Sequence, residues 1–195
     1  MRDDPSSRQV PSRTVVLAGP AATGKSTLGV LLARRLGLPF IDVDEIAWPY
    51  YAEAGWDLDR LVARVHAVGR VAAEREWEPA RAHTVERVLA EHPGTVIALG
   101  AGHTSYSDLD CASRVRTALD AASDVVLLLP HPGPERSVAV LRERSVASKN
   151  TDWVADGHDF LAEWVADPLN HEVATITVYT EGLDPEETVG EVVRL

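Results

Sequence analysis

Residues 19–26 read Gly-Pro-Ala-Ala-Thr-Gly-Lys-Ser, a spacing suited to holding phosphate. Gly19 and Gly24 permit backbone conformations in which successive N–H groups turn inward on an anion. A helix that begins at this loop adds its positive end at the same point. Lys25 supplies a charge for β- and γ-phosphates, and the Ser26 hydroxyl is placed to hold Mg²⁺. Ala22 and Thr23 lie in the cradle, and Thr27 enters the helix behind it. Gly19 and residues 22–27 are thus the expected site for ATP and Mg²⁺.

Two carboxylates stand close by in sequence, in Phe40-Ile-Asp42-Val-Asp44-Glu45. They fall where a short strand ends, and open α/β sheets bind ligands beyond the carboxyl ends of their strands. If strand geometry persists, a spacing of two sends both side chains to one side. One could then support Mg²⁺ while the other meets an acceptor hydroxyl. Asp44 could equally cap the helix that follows. No later apolar run ends in the Asp of a motor ATPase: Val96–Leu99 leads to Gly100 and Val125–Leu129 to Pro130. The second metal carboxylate therefore has to come from elsewhere, and Asp42 is its natural source.

The elements that position these groups alternate short apolar runs with helical segments, the signal for a parallel sheet with crossover helices. Strands are expected at 14–18, 39–41, 95–99, 124–129 and 175–180. Helices are expected at 25–36, 57–92 with a break near Glu78-Pro79, 109–122, 134–146, 159–165 and from Pro185 onward. Residues 147–158 carry no clear pattern. The reading is one α/β domain over 14–195 with five parallel strands, preceded by a flexible polar tail over 1–13.

Composition sets outer bounds. The chain has 195 residues, 45% hydrophobic and 25% charged, as soluble globular proteins do. No apolar run approaches the roughly 20 residues of a membrane span. A net charge of −11 argues against nucleic acid as the main partner, because a backbone-binding surface must neutralise phosphates. Cys111 is the single cysteine, so no internal disulfide can form, and a reducing cytoplasm is the simplest compartment. Cys111 itself reads as a partly buried structural thiol.

The matching stretches at 19–27, Phe40-Ile-Asp42-Val-Asp44 and Val96-Ile-Ala-Leu-Gly100-Ala-Gly102 resemble shikimate kinase and its relatives among small P-loop kinases, including gluconate-kinase-like enzymes. The last strand and helix, from Ala174 onward, look like the family's adenine-side turn and closing helix. The resemblance implies a three-layer P-loop NTPase fold with a helical acceptor-binding subdomain and a mobile lid. It implies that Asp44 contacts the acceptor hydroxyl as base, that Asp42 supports the metal, and that Gly100, Ala101 and Gly102 line the acceptor site. It also implies a lid Arg on the phosphates, with Arg142 and Arg144 both in the corresponding region. The family's Phe-Arg pair, which grips an acceptor carboxylate, has no counterpart here: the region reads Glu76-Trp-Glu-Pro-Ala-Arg81-Ala-His83, leaving Arg81 or His83 as substitutes. The family's Arg-Pro-Leu-Leu after the lid is absent too, and Lys149 cannot reproduce a bidentate Arg.

Acceptor identity is left to less patterned residues. His103-Thr-Ser-Tyr-Ser-Asp108 is dense in hydrogen-bonding groups, with His103 and Asp108 as candidates to face hydroxyls or amines. Trp48, Tyr50, Tyr51 and Trp56 could stack on a flat acceptor or pack a helical core. Trp77 reads as packing and Trp153 as part of the lid. The expected activity is ATP-dependent transfer of the γ-phosphoryl group to a hydroxyl of a small metabolite. A nucleoside or nucleotide kinase, an antibiotic-modifying phosphotransferase and a regulatory NTP-binding protein are the alternatives.

Overall fold

A computed structural model describes residues 13–194. Five strands form one parallel sheet: β1 (Val15–Ala18), β2 (Phe40–Asp42), β3 (Val96–Ala98), β4 (Asp124–Leu129) and β7 (Ile176–Tyr179), in the order β2-β3-β1-β4-β7. β1 sits between β3 and β4, with Val16 paired to Ile97 on one side and to Val125 on the other. All five strands and their parallel sense agree with the apolar-run reading. The expected tail lies outside the described residues except for Arg13, whose guanidinium pairs with Asp124 at 2.8 Å.

Alternation along β1 builds the three layers. Val15 and Leu17 pack with Leu28 and Leu32 of α1 (Lys25–Leu36) and with Val189 and Val192 of α9 (Pro185–Arg194). Val16 and Ala18 face the opposite way, onto α2 (Val43–Glu53), α4 (Arg70–Glu91) and α5 (Leu109–Leu119). A third cluster joins Leu127 and Leu129 at the end of β4 to Leu141 of α6 (Pro134–Lys149) and to Phe160, Leu161 and Trp164 of α7 (Phe160–Ala166).

Three expectations need correction. The long helical region divides at Gly69, between α3 (Leu58–Val68) and α4, and not at Glu78-Pro79. Gly69 has φ 86° and ψ 165°, where L side chains are strained. Pro79 stays inside α4, because Ala80, Ala82, Thr84, Val85 and Val88 around it are all buried and tertiary packing outweighs one missing N–H. The unpatterned stretch holds the end of α6 and a hairpin of β5 (Val154–Ala155) and β6 (His158–Asp159). Its two turn residues, Asp156 at φ 52° and Gly157 at φ 76°, match an Asp-Gly hairpin turn. Helix α8 (Pro168–Val173) was also not anticipated, although Asp167 caps it and Pro168 opens it, which is a readable start signal. Among the described residues no helix is long and apolar enough to cross a membrane.

Candidate active site

A cavity of about 600 Å³ opens at the carboxyl ends of β1, β2 and β3. The phosphate loop forms one end, through Ala22, Gly24, Lys25, Ser26 and Thr27. A second cavity, of about 250 Å³, lies on the other flank of the same loop, between Thr23, Leu28, Thr180, Leu183 and Pro185. Ala22, Gly24, Thr27 and Arg144 border both. Two chambers that meet at a phosphate cradle suit a donor whose phosphates reach toward an acceptor.

Lys25 is buried, and its Nζ donates to the carbonyls of Gly19 and Pro20, each at 2.7 Å. Burial lowers its pKa from 10.5 to about 8; Asp44 and Asp42 oppose that shift and Lys149 adds to it. The ammonium thus rests on the loop in a site where added negative charge restores its preference for the proton.

Asp42 and Asp44 both line the large cavity, although strand geometry does not carry them there. The helix begins at Val43, and Asp42 caps it by accepting from the Asp44 N–H at 3.1 Å. The capping role considered for Asp44 therefore belongs to Asp42, and the Asp44 carboxylate is left to face the cavity.

Beyond Asp44, β3 turns through a 3₁₀ segment, Ala101–Thr104, and two glycines there have steric reasons. A side chain at Gly100 would begin 2.3 Å from Asp44 Oδ1 and 2.5 Å from His103 Nδ1. One at Gly102 would begin 1.9 Å from Arg81 Nη1. Gly100 thus gives room for a carboxylate and an imidazole beside the backbone, and Gly102 for a guanidinium. Ala101, between them, lines the cavity without such a collision.

His103 is buried, and its Nε2 hydrogen-bonds the Tyr51 hydroxyl at 2.8 Å. Burial lowers its pKa to about 4 against the pull of Asp44, so the ring is neutral at pH 7. Burial likewise pushes the Tyr51 hydroxyl well above its ordinary value. Arg81 Nη1 donates to the Gly102 carbonyl at 2.9 Å and Nη2 to the Glu74 carbonyl at 3.3 Å. The Glu74 and Glu78 carboxylates stand 3.9 Å from it. Glu78 is fully buried, and it accepts from the Ser107 and Asp108 N–H groups at 2.8–3.0 Å. It thereby anchors α4 to the loop that follows the glycines.

Several expected site residues do not reach the cavity. His83 pairs with Glu53 at 2.7 Å on the outer face of α4, so of the two suggested substitutes only Arg81 lines the cavity. Arg142 turns to Asp159 and the Asp152 carbonyl, tying the hairpin to α6; Arg144 is the one beside the phosphate loop. Asp108 caps α5 through the Asp110 and Cys111 N–H groups and lines neither chamber. Of the aromatic cluster only Tyr51 lines the chamber. Trp48 stacks on Trp77 from outside, at 6.2 Å between ring centroids, and Trp56 packs beneath Arg60. Cys111 is buried, and burial raises its thiol to about 11.

Sequence reasoning missed Arg70, Glu74, Lys149 and Trp164 as cavity residues and read Trp77 only as packing; all five line the chamber. Arg70, Glu74, Trp77 and Arg81 recur every three or four residues along one face of α4. That stripe is a polar and aromatic signal inside a helix that sequence shows as otherwise apolar and charged.

The shikimate kinase family model matches residues 21–195. Shikimate kinase of Pseudomonas syringae pv. tomato is 33% identical over 187 residues, covering 92% of this chain and 94% of the relative. Shikimate kinase of Streptomyces coelicolor is 28% identical over 176 residues, covering 89% of each. The solved structure of the Acinetobacter baumannii shikimate kinase in complex with shikimate shares the fold, with a TM-score of 0.64 at 21% identity over 93% of this chain and 91% of that one. A gluconokinase from Sinorhizobium meliloti shares it at a TM-score of 0.55 and 18% identity, covering 94% and 91%. The phosphate loop, the Asp44 carboxylate beyond it and the match across nearly the whole chain lead to one conclusion: this chain belongs to the shikimate kinase family, ATP-dependent phosphotransferases acting on a hydroxyl of a small molecule.

Proposed function

We propose that the two chambers divide donor from acceptor: the nucleotide occupies the smaller one, and its γ-phosphate meets an acceptor hydroxyl beside Asp44 in the larger. The observation that carries this reading is that Lys25, Asp44 and Arg144 line one cavity with the phosphate loop at its end. Phosphoryl transfer needs positioning and charge neutralisation more than covalent chemistry. The loop N–H groups and Lys25 hold the phosphates, and Arg144 reaches them from α6. Asp44 orients the acceptor hydroxyl and takes its proton as the bond to phosphorus forms. Arg81, His103 and the Gly100–Gly102 turn hold the rest of the acceptor. Trp153, just before the hairpin, and Trp164 of α7 wall the site and limit entry of water.

The oxygen donors Ser26 and Asp42 both line the cavity next to the loop, a hard donor set that fits Mg²⁺. When bound, Mg²⁺ offsets charge on the β- and γ-phosphates. The lone cysteine supports a reducing, cytoplasmic setting.

The test is a panel of hydroxylated metabolites incubated with MgATP and read by mass spectrometry for an added phosphoryl group. A phosphorylated small product that depends on Mg²⁺ and on Asp44 is the expected result. ATP hydrolysis with no such product would favour a regulatory NTPase instead.

A further inference from the structure

Resting on the kinase reading above, we infer that Glu78 is a positioning residue for phosphoryl transfer. Its buried carboxylate, outside both chambers, locks α4 and the turn after β3 into one wall of the larger chamber.

The first observation is where this carboxylate sits. Glu78 is fully buried and lines neither chamber. Its Oε1 accepts from the Ser107 N–H and hydroxyl, each at 2.9 Å, and its Oε2 accepts from the Asp108 N–H at 2.8 Å. Those N–H groups stand directly before α5, where a helix presents positive potential. One helix thus supplies the anion for the start of another. Burying a carboxylate costs stability unless its oxygens are well paired, and apolar packing joins two elements at lower cost. What hydrogen bonds add is direction, since they weaken steeply when distance or angle drifts.

The second observation is that α4 also grips the other end of the same turn. Arg81, one helical turn beyond Glu78, donates from Nη1 to the Gly102 carbonyl at 2.9 Å. The two side chains therefore hold residue 102 and residues 107–108 from one helix. Between these grips lies His103, which with Gly102 forms the turn's side of the chamber, as Trp77 and Arg81 form that of α4. Arg75 braces the joint: its Nη1 donates to Glu78 Oε1 at 3.1 Å, and both terminal nitrogens donate to Glu163 of α7 at 2.8 Å. Released from Glu78, the turn would shift relative to Asp44 while the phosphate loop stayed in place. A misplacement of about 1 Å can cost about 10²-fold in rate.

The experiment uses Glu78→Gln, which turns an amide NH₂ toward groups that can only donate. The acceptor is the hydroxylated metabolite that gives the most product with the unaltered enzyme in the panel above. Its kcat/KM should fall by about tenfold or more, with the MgATP dissociation constant within about twofold of the unaltered enzyme's. Amide exchange at Ser107 and Asp108 should quicken, while residues 19–27 keep their protection. Glu78→Asp keeps the charge but loses reach; it should show the same split more weakly, and it carries the comparison if Glu78→Gln does not fold. A variant that melts earlier yet keeps full acceptor kcat/KM well below its melting temperature makes Glu78 structural only and overturns the inference. Equal weakening of ATP and acceptor also overturns it, and both results leave the kinase reading standing. No product from the unaltered enzyme with any panel member, while MgATP binds, removes the kinase reading and this inference with it.

Discussion

Asp156, at the turn of the β5–β6 hairpin, accepts a hydrogen bond from the backbone N–H of Val71 at 3.0 Å, across 85 residues of chain. The carboxylate thus caps the first turn of α4 from another element, where the helix end carries unpaired N–H groups and positive potential. Gly69 leaves the space, since a side chain there would begin 2.8 Å from Asp156 Oδ2. The hairpin is thereby fastened to the start of α4, next to the cavity residue Arg70, with Arg75, Glu163 and His158 forming a second tie between α4, α7 and β6.

Loss of that fastening is the first prediction. Asp156→Ala should cost about 1 kcal/mol of stability, as a lost cap does, and raise the acceptor KM several-fold. Acceptor-independent ATP hydrolysis should rise, because water gains entry. Phosphate release measured with and without acceptor checks both. An unchanged ratio would show that the contact is structural only.

The second concerns Lys25. Its pKa in the folded protein, about 8 against 10.5, is depressed. Its proton is therefore disfavoured by folding below pH 8, and stability should rise as pH climbs from 8 toward 10.5. Nucleotide phosphates restore the charge, so ATP binding at pH 8.5 should take up a proton that it does not take up at pH 6.5. Calorimetric titrations in buffers of different ionisation enthalpy read this directly. Lys25→Met should abolish the uptake.

Asp44→Asn should lower kcat by about 10²–10⁴-fold, the range for a lost general base, with the ATP dissociation constant little changed. Equilibrium nucleotide binding and single-turnover rates separate the two. A fully active variant would remove Asp44 from the base role.

The turn after β3 gives a steric prediction. Gly102→Ala drives a methyl group into Arg81 Nη1 and should raise the acceptor KM about tenfold or more while leaving ATP binding intact. Ala101→Gly, where nothing collides, should change kcat/KM little. Equal effects from both would show that the Arg81 contact with this backbone is immaterial.

Arg142 and Arg144 should separate cleanly. Arg144→Ala, beside the phosphate loop, should reduce kcat by about 10²-fold or more. Arg142→Ala should loosen the hairpin, with a rate change of only a few-fold. Steady-state kinetics on the two variants decides which arginine serves the phosphates.

The donor side of this molecule was legible in the sequence because its contacts are local. The cradle is one continuous stretch between β1 and α1, and glycine spacing states its backbone geometry directly. The sheet was legible for a similar reason, since buried parallel strands are short unbroken apolar runs. The acceptor side was not. Arg81 and His83 are two residues apart and alike in chemistry, but opposite faces of α4 send one to the Gly102 carbonyl and the other to Glu53. Arg142 and Arg144 divide in the same way on α6. Trp77 looked like packing because helical spacing cannot distinguish a buried wall from a cavity wall. The hairpin escaped because strands of two residues have no period, although its Asp-Gly turn was in plain view.

The phosphate loop stands as a partition, with Ala22, Gly24, Thr27 and Arg144 bordering both chambers. Substitutions on α4 or the hairpin can reshape the acceptor chamber without disturbing the other side. In evolutionary terms the acceptor can be exchanged while the donor is kept. For inhibitor discovery the same partition means that a compound seated among Trp77, Trp153 and Arg81 leaves the smaller chamber open, so added nucleotide should not displace it.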